Sequence, residues 1–467
     1  MDIYHVLSAR YSLFVQGFYG RLPWSVKTVY FYPMSFEYFI AQRIALGNKR
    51  SVAHWIIRIA VVAVALSVAV MIVTNALITG FKQEIKTKIF GFWGHIHITK
   101  TEINHSLLDP LPVSKNQDFY PALDTIRKVT YYKPLQIGPW SFEDRMVERR
   151  TNGGVRHMQV FALEPGIIKT KDDIEGIILK GVDEDFDWTF FQRYLEEGSI
   201  PTFPDTAFSR DILVSRPTAD RLRLSVGDQF IVYFVENGDQ LLRRFKVCGI
   251  YKTGLGEYDQ KFALVDIRQV RQVLGWEEDM VGGFEVIIDD IEDLDMITDY
   301  IYFEALPNDM YAESIRDKFP PIFDWLELQN INEVVILALM TIVSIINMIT
   351  ALIILILERT TMIGVLKSMG SNNWSIRRIF LYHAAYITLQ GLFWGNLIGL
   401  GLCFLQKRFH LIKLSEADYY ISEAPIALDP WQILLINLGT LAITLLFLIL
   451  PSYMVTSISP VKAIRFK

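Results

Sequence analysis

The sequence predicts a membrane protein with four transmembrane α-helices and a large α+β domain, which lies outside the cytoplasm and is inserted between helices one and two. Three observations predict this class. The 467 residues are 51% hydrophobic and 21% charged, too apolar for an ordinary soluble protein and too charged for spans alone. Four runs are apolar over the roughly 20 residues that a helix needs to cross a bilayer. Strand-like and helical stretches fill the long segment between the first two runs.

The distribution of Lys and Arg orients the four spans. Basic residues precede the first span, lie between spans two and three, and end the chain. These are Arg43, Lys49, Arg50, Arg359, Lys367, Arg377, Arg378, Lys462, Arg465 and Lys467. Because cytoplasmic flanks carry an excess of Lys and Arg, we expect both termini and this connector in the cytoplasm.

The spans divide the chain into nine predicted segments, and the first 33 residues precede Met34, which we predict to be the native start. The segments are a cytoplasmic N-terminal segment (1–55), span one (56–79), the outer domain (80–332), span two (333–357), a cytoplasmic connector (358–378), span three (379–405), an outer loop (406–430), span four (431–455) and a cytoplasmic tail (456–467).

The outer domain reads as a mixture of strands and helices. "QFIVYFV", "RRFKVCGIY", "FALVDI" and "FEVIID" have strand character, whereas "RDILVSRPTADRLRL" and "DLDMITDYIYFEAL" have helical character. Cys248 belongs to this domain and Cys403 to span three, so no disulfide can form within the outer domain. We therefore expect an α+β domain that is stabilised by its hydrophobic core.

Catalytic and metal-binding signatures are nearly absent from the sequence. There is no GxxxxGK[ST] phosphate loop, and the net charge of -5 shows no basic excess that would favour nucleic acid. His95 and His97 would share one face of a strand, which is half a metal site, but no CxxC or HExxH accompanies them. We predict no catalytic residue and no metal. His383 in span three is either a proton relay or a packing residue, and packing is favoured.

The connector contains a short amphipathic helix, "ERTTMIGVLKSMG". Met362, Val365, Leu366 and Met369 recur at helical spacing, and Gly370 suits the left-handed residue that ends a helix. Such a helix either lies flat on lipid headgroups or is presented to a cytosolic partner. Periodicity alone leaves both interpretations open.

Several motifs resemble those of ABC-transporter permeases. "ERTTMIGVLKSMG" followed by a span, and the closing "LILPSYMVTSISPVKAIRF", are similar to the coupling helix and C-terminal end of the FtsX and MacB superfamily. "ITGFKQEIKTKIFGFWGHIHI" and "YYISEAPIALDPWQILLINLGT" look most like the lipoprotein-releasing permeases of the LolC/LolE type. "ILVSRPTADRLRLSVGDQF" resembles an outer-domain pattern of the same group, and the resemblance covers the chain from Met34 onward.

The resemblance implies a non-catalytic inner-membrane permease subunit that binds no cofactor. A separate ABC ATPase would hold ATP and magnesium, and its hydrolysis would release lipoproteins from the inner membrane toward the periplasm and outer membrane. Implied partners are that ATPase, a second permease copy or paralogue, the lipoprotein, a periplasmic carrier and membrane lipids. The alternatives within the superfamily are a MacB-like exporter and an FtsX-like transducer that activates cell-wall hydrolases.

The resemblance also carries candidate residues. The residues implied to contact the ATPase are Glu358, Arg359, Thr361, Met362, Ile363, Gly364, Leu366, Lys367, Met369 and Gly370. If spans one and two adjoin, as they do in the family, Asn75, Thr79, Asn332 and Glu333 would frame a lateral opening for the substrate, although hydrogen bonding between helices is the favoured alternative. Gly391, Gly395 and Gly399 form a small-xxx-small stripe that predicts close helix packing.

Overall fold

The computed structural model describes residues 37–41, 52–101, 111–137, 140–169, 174–204, 208–236, 239–415, 419 and 421–459. The predicted start at Met34 and the basic residues near both termini lie outside these ranges. The chain divides into two compact units. One contains residues 61–347 and 390–444, with the outer domain; the other contains residues 348–389 and 445–459 together with the described residues before 61.

Four long apolar helices confirm the predicted spans. They are α1 (Val52–Trp93), α9 (Pro320–Glu358), α11 (Asn373–Phe409) and α12 (Pro430–Ser452). Proline occupies the first position of α9 and of α12, where its missing N–H would have no helical partner in any case. Large apolar side chains such as Leu446 and Phe404 remain exposed along these helices, as expected for surfaces that face lipid.

Two of these helices continue well past the predicted membrane boundary. Helix α1 continues beyond the end of the first span at residue 79 as far as residue 93. Helix α9 already begins at residue 320, ahead of the start of the second span at residue 333. At 1.5 Å per residue each extension is about 20 Å long. The outer domain is therefore joined to the membrane by two helical stalks.

The outer domain is built on a ten-stranded mixed sheet, which confirms the α+β class. Its strands and those of two small sheets are β1 (Ile96–Lys100), β2 (Val113–Ser114), β3 (Thr130–Ile137), β4 (Trp140–Arg150), β5 (Val155–Lys169), β6 (Ile174–Val182), β7 (Leu195–Gly198), β8 (Asp211–Ser215), β9 (Gln229–Glu236), β10 (Asp239–Tyr251), β11 (Phe262–Asp266), β12 (Met280–Val281), β13 (Gly283–Ile288) and β14 (Met310–Ser314). The main order is β14-β1-β13-β5-β6-β11-β8-β10-β7, with β9 pairing β10 and β5. Strand β11 runs parallel to β6 and β8 runs parallel to β10, while the other pairings are antiparallel.

Short helices cover this sheet and complete the chain. They are α2 (Phe119–Leu123), α3 (Thr189–Arg193), α4 (Arg216–Leu222), α5 (Gly256–Lys261), α6 (Ile267–Leu274), α7 (Leu294–Tyr300), α8 (Ile315–Lys318), α10 (Thr360–Ser368) and α13 (Met454–Ser457). Strands β3 and β4 form a separate hairpin, and β12 pairs with β2.

The stretch "RDILVSRPTADRLRL" corrects one expectation. Its first half is strand β8 and only its second half is a helix, so reading the whole stretch as helical is wrong. The Ser215 hydroxyl accepts a hydrogen bond from the Thr218 N–H, and a proline follows at the start of the helix. A cap of this kind fixes where the helix begins, which leaves the β-branched Ile212 and Val214 to the sheet.

The stalk of α1 ends inside the core of the outer domain. Phe92 and Trp93 are fully buried there and pack against Phe262, with ring centroids 5.5 and 5.1 Å away. Aromatic side chains contribute the largest buried areas in such cores. Helix α1 is therefore fixed to the sheet at the end farthest from the membrane.

Candidate functional site

The connector between α9 and α11 folds as helix α10, and its sequence explains how it ends. Gly370 has φ +90°, a conformation that side-chain-bearing residues rarely adopt. Its N–H donates to the Lys367 carbonyl at 3.0 Å, and the Ser371 N–H donates to the Leu366 carbonyl at 3.0 Å. These are the two bonds of a Schellman ending. The Asn372 side chain then accepts from a backbone N–H of the first turn of α11 at 3.4 Å.

The apolar positions of α10 face two environments. Ile363, Gly364 and Leu366 are buried, whereas Met369 is 77% and Val365 43% exposed. Four other residues implied to contact the ATPase differ in exposure. Thr361 and Glu358 are exposed, and Met362 and Arg359 are half-buried. One face of helix α10 is thus buried, and the other presents a small surface formed by the apolar side chains of Val365 and Met369 beside the hydroxyl-bearing Thr361.

Lys367 binds α10 to the segment that follows α12. Its ammonium donates to the carbonyls of Val455 at 2.7 Å, Ile458 at 2.8 Å and Thr456 at 3.3 Å. Carbonyls at a helix C-terminus lack helical partners and carry partial negative charge, so a cation is favoured there. Burial lowers the pKa of Lys367 from its ordinary value.

A second cation holds the same segment. The Arg377 guanidinium lies 3.7 Å from the ring centroid of Tyr453, a cation–π contact. The segment after α12 is therefore bound both by Arg377 of α11 and by Lys367 of α10. These two contacts hold α10 in place, and with it the side chains that α10 exposes.

The glycine stripe of α11 lies against α1. A methyl group at Gly391 would lie 2.5 Å from Val64, and one at Gly395 would lie 2.7 Å from Val68. At Gly399 it would lie 3.1 Å from the backbone of α1. The two helices are therefore so close that a methyl group at Gly391 or Gly395 would overlap Val64 or Val68, while one at Gly399 would require α1 to move by a few tenths of an ångström.

Polar residues join α1 and α9 near the predicted outer boundary of the membrane. The Asn75 amide donates to Glu333 Oε1 at 2.6 Å, and Lys82 Nζ lies 3.4 Å from Glu333 Oε2. Thr79 donates to Gln432 of α12 at 3.4 Å. Asn332 is exposed on α9 and is not part of this group. The first two spans adjoin, as the resemblance implies, and Asn75, Thr79 and Glu333 form hydrogen bonds between helices.

The two histidines of "HIH" are buried structural groups. His97 Nε2 lies 2.7 Å from the Trp93 carbonyl, and Lys318 Nζ lies 3.3 Å from His97 Nδ1. Donation to the carbonyl and acceptance from the ammonium together require the neutral Nε2–H tautomer. Burial lowers the pKa of His97 well below its usual range and the pKa of His95 to about 4. Within the described ranges no three His, Cys, Asp or Glu side chains are grouped to hold a metal ion.

Sequence reasoning missed a buried ionic cluster, formed by Lys180, Glu285 and Gln159, under the end of α1. Lys180 Nζ lies 2.7 Å from Glu285 Oε1, both side chains are fully buried, and the ammonium also donates to the Phe92 carbonyl at 2.7 Å. The Gln159 amide donates to Glu285 Oε2 at 2.7 Å. Burial raises the pKa of Glu285 and lowers that of Lys180, and their mutual attraction opposes both shifts. The sequence did contain a signal for this cluster, because the apolar strands "GIILKGV" and "GFEVII" each include one charged residue of opposite sign.

These features define a class: a membrane subunit with four spans, one large outer domain and a short, firmly seated helix between spans two and three. The MacB-like periplasmic core domain matches residues 59–301, and the FtsX-like permease C-terminal domain matches residues 334–460. The chain belongs to this family of FtsX- and MacB-like permeases, which confirms the resemblance seen in the sequence.

Similar proteins extend along nearly the whole chain. The lipoprotein-releasing system transmembrane protein LolE of Haemophilus influenzae is 22% identical over 92% of this chain and 99% of its own length. The LolC protein of Neisseria meningitidis is 20% identical over 93% of this chain and 100% of its own length. The extracellular domain of the transporter YknZ from Gram-positive bacteria covers 47% of this chain and 98% of its own length, at 13% identity and a TM-score of 0.29.

Proposed function

We propose that this chain is the transmembrane permease subunit of an ABC transporter that releases lipoproteins from the inner membrane. The end-to-end similarity to LolE and LolC supports the substrate class. The seated helix α10, with its exposed Val365 and Met369, is the observation that supports coupling to a separate ATPase. In this proposal the ATPase binds ATP and magnesium, and this chain performs no chemistry.

The free energy of lipid anchoring explains why such a release needs ATP. A buried methylene contributes about 0.8 kcal/mol, so three acyl chains of roughly fifteen methylenes each hold a lipoprotein by on the order of 35 kcal/mol. A protein that lifts this anchor needs a shielded path. The adjoining α1 and α9 line one side of it, and a second permease copy or paralogue supplies the other.

The orientation of the chain follows from the same proposal. Helix α10 faces the cytoplasm, where the ATPase resides, and both termini lie on that side of the inner membrane. The outer domain lies in the periplasm, where a soluble carrier receives the lipoprotein. Asn75, Thr79, Asn332 and Glu333 remain candidates for the entrance of the path.

The exposed face of α10 provides the first test. Met369→Glu places a charge in the apolar contact, and we expect at least a tenfold loss of the ATPase that copurifies with the chain. Gly364 is less suitable for this test, because it is buried and a larger residue there would disturb the seat of α10.

A matched control comes from the outer domain. Met146 is 62% exposed, so Met146→Glu makes the same chemical change far along the chain from α10 and should leave the ATPase bound. Equal recovery of the ATPase with both variants would refute the docking role of α10. Mass spectrometry of the wild-type preparation identifies the cargo, and cell-wall hydrolases without lipoproteins would indicate a transducer instead.

A further inference from the structure

Span four is connected to helix α10 by contacts between side chains and backbone, not by the chain itself. Helix α10 is covalently continuous with α9 at one end and with α11 at the other. A movement of α10 therefore reaches spans two and three through the backbone. Helix α12 is separated from α10 in the chain by the whole of α11 and the outer loop, so the same movement reaches it through the contacts described above.

The end of α12 that lies near α10 contains a break. Pro451 occupies the last turn of α12 and has no N–H to donate, and the chain then passes through Tyr453 into the short helix α13. The guanidinium of Arg377 lies over the ring of Tyr453 at this break, 3.7 Å from its centroid. One cation therefore holds the break itself, and a second holds the helix that follows it.

That second cation is Lys367, and its hydrogen bonds are all made to this chain. The resemblance implies that Lys367 contacts the ATPase, but its ammonium donates to three carbonyls in or next to α13, at 2.7, 2.8 and 3.3 Å. An ammonium has three N–H donors, so these bonds use all of them. Lys367 has no donor left for another protein, and it fixes α13 to α10 instead.

The opposite end of span four is bonded to α1 where the stalk begins. The Ala427 N–H, just before α12, donates to the Ala76 carbonyl at 3.1 Å. The Thr79 hydroxyl donates to the Gln432 side chain in the first turn of α12 at 3.4 Å. Helix α12 is continuous between this end and the break at Tyr453. It therefore has bonds to α1 at one end and, through α13, to α10 at the other.

We propose that Lys367 is a positioning residue that makes span four move with α10, so that a movement imposed on α10 by the ATPase reaches the base of the α1 stalk. The inference rests on the proposed function for the source of that movement. Three charge-assisted bonds from one half-buried ammonium resist separation of the two helices. A separation of about 1 Å would already take these bonds beyond the range of a hydrogen bond.

Amide hydrogen exchange of the full chain in detergent, without any ATPase, tests the positioning role. Lys367→Met should raise the exchange rate of residues 453–458 about tenfold, because local opening of α13 no longer breaks bonds to the ammonium. Lys367→Arg should restore slow exchange, since a guanidinium also donates to carbonyls. Met369→Glu changes the surface offered to the ATPase and should leave this exchange unaltered. Unaltered exchange in Lys367→Met would overturn the inference.

The matched control is Lys407→Met, the same chemical change at an exposed position of α11. It should leave the exchange of residues 453–458 as in the wild type. An increase equal to that of Lys367→Met would mean that the loss of any cation loosens α13, and it would overturn the role of Lys367.

The complex with the ATPase tests the transmission of movement. At saturating ATPase, trapping with ATP and vanadate should alter exchange in residues 373–378 of both the wild type and Lys367→Met, because the start of α11 follows α10 through the backbone. Residues 453–458 should respond in the wild type and in Lys367→Arg but not in Lys367→Met. An equal response in all three would overturn the inference. A wild type that copurifies with no ATPase would refute the proposed function instead, and exchange of the chain alone would still decide the positioning role of Lys367.

Discussion

The buried ion pair beneath α1 allows a quantitative prediction for the outer domain. Lys180→Met removes an ammonium that contacts Glu285 and the Phe92 carbonyl, both at 2.7 Å. The Glu285 carboxylate then stays fully buried, with the Gln159 amide as its remaining partner. Breaking a fully buried pair from one side costs about 3–5 kcal/mol. For a domain of this size that corresponds to a fall of about 10 °C in the unfolding temperature.

Tryptophan emission provides the assay, because Trp93, one of the ten tryptophans of the chain, has the Lys180 ammonium 5.3 Å from the centroid of its ring. Tryptophan fluorescence of the full chain in detergent during thermal or urea unfolding should therefore report the loss. Lys261→Met is the matched control. Because Lys261 is exposed, this substitution should lower the free energy of unfolding by less than about 0.5 kcal/mol.

A second substitution separates lost charge pairing from lost packing. Adding Glu285→Gln to Lys180→Met removes the uncompensated charge and keeps an amide that can bond Gln159, so we expect at least half of the lost stability to return. The single variant should also gain stability at low pH, because burial raises the pKa of Glu285 and the folded state takes up its proton first. A single variant as stable as the wild type, or a double variant no better than the single, would refute this reasoning.

Two further predictions concern helix packing and pH. Gly395→Leu should lower the thermal stability of the chain in detergent by about 1–3 kcal/mol, because its side chain meets Val68 of α1, whereas Gly401→Leu on the same helix has open space and should be near neutral; equal effects would contradict the packing role. Burial lowers the pKa of His95 to about 4, so the unfolded chain binds a proton between the ordinary pKa of about 6.5 and pH 4 while the folded chain does not. The free energy of unfolding therefore falls as pH falls through this window, by up to about 1.4 kcal/mol per pH unit. Urea unfolding midpoints measured at three pH values should depend less steeply on pH for His95→Gln than for the wild type.

The sequence was sufficient for the architecture because its signals are local. Spans show as long apolar runs, and the end of α10 shows in Gly370, whose missing side chain permits the positive φ. The environments of the α10 side chains were not predictable, because Val365 and Leu366 are equally apolar. Only the packing around α10 determines that one is exposed and the other buried.

The ionic cluster could not be predicted because its members meet only through the order of the sheet. Gln159 lies on β5, directly opposite Glu285 of β13, and Lys180 lies on β6 along the other edge of β5. A mixed sheet of ten strands allows many orders that satisfy the same pattern of apolar residues.

The helical stalk of α1 acts as a lever. A flexible chain of the 14 residues from 80 to 93 would have an average span of about 20 Å, close to the length of the helix, but its direction would be random and it would transmit no torque. As a helix, the same segment turns a tilt of about 5° at the membrane surface into a displacement of about 2 Å at Trp93. A shift of that size would break the bond from Lys180 to the Phe92 carbonyl if the sheet stayed in place, whereas a sheet that moved with the helix would keep this bond and the burial of Trp93.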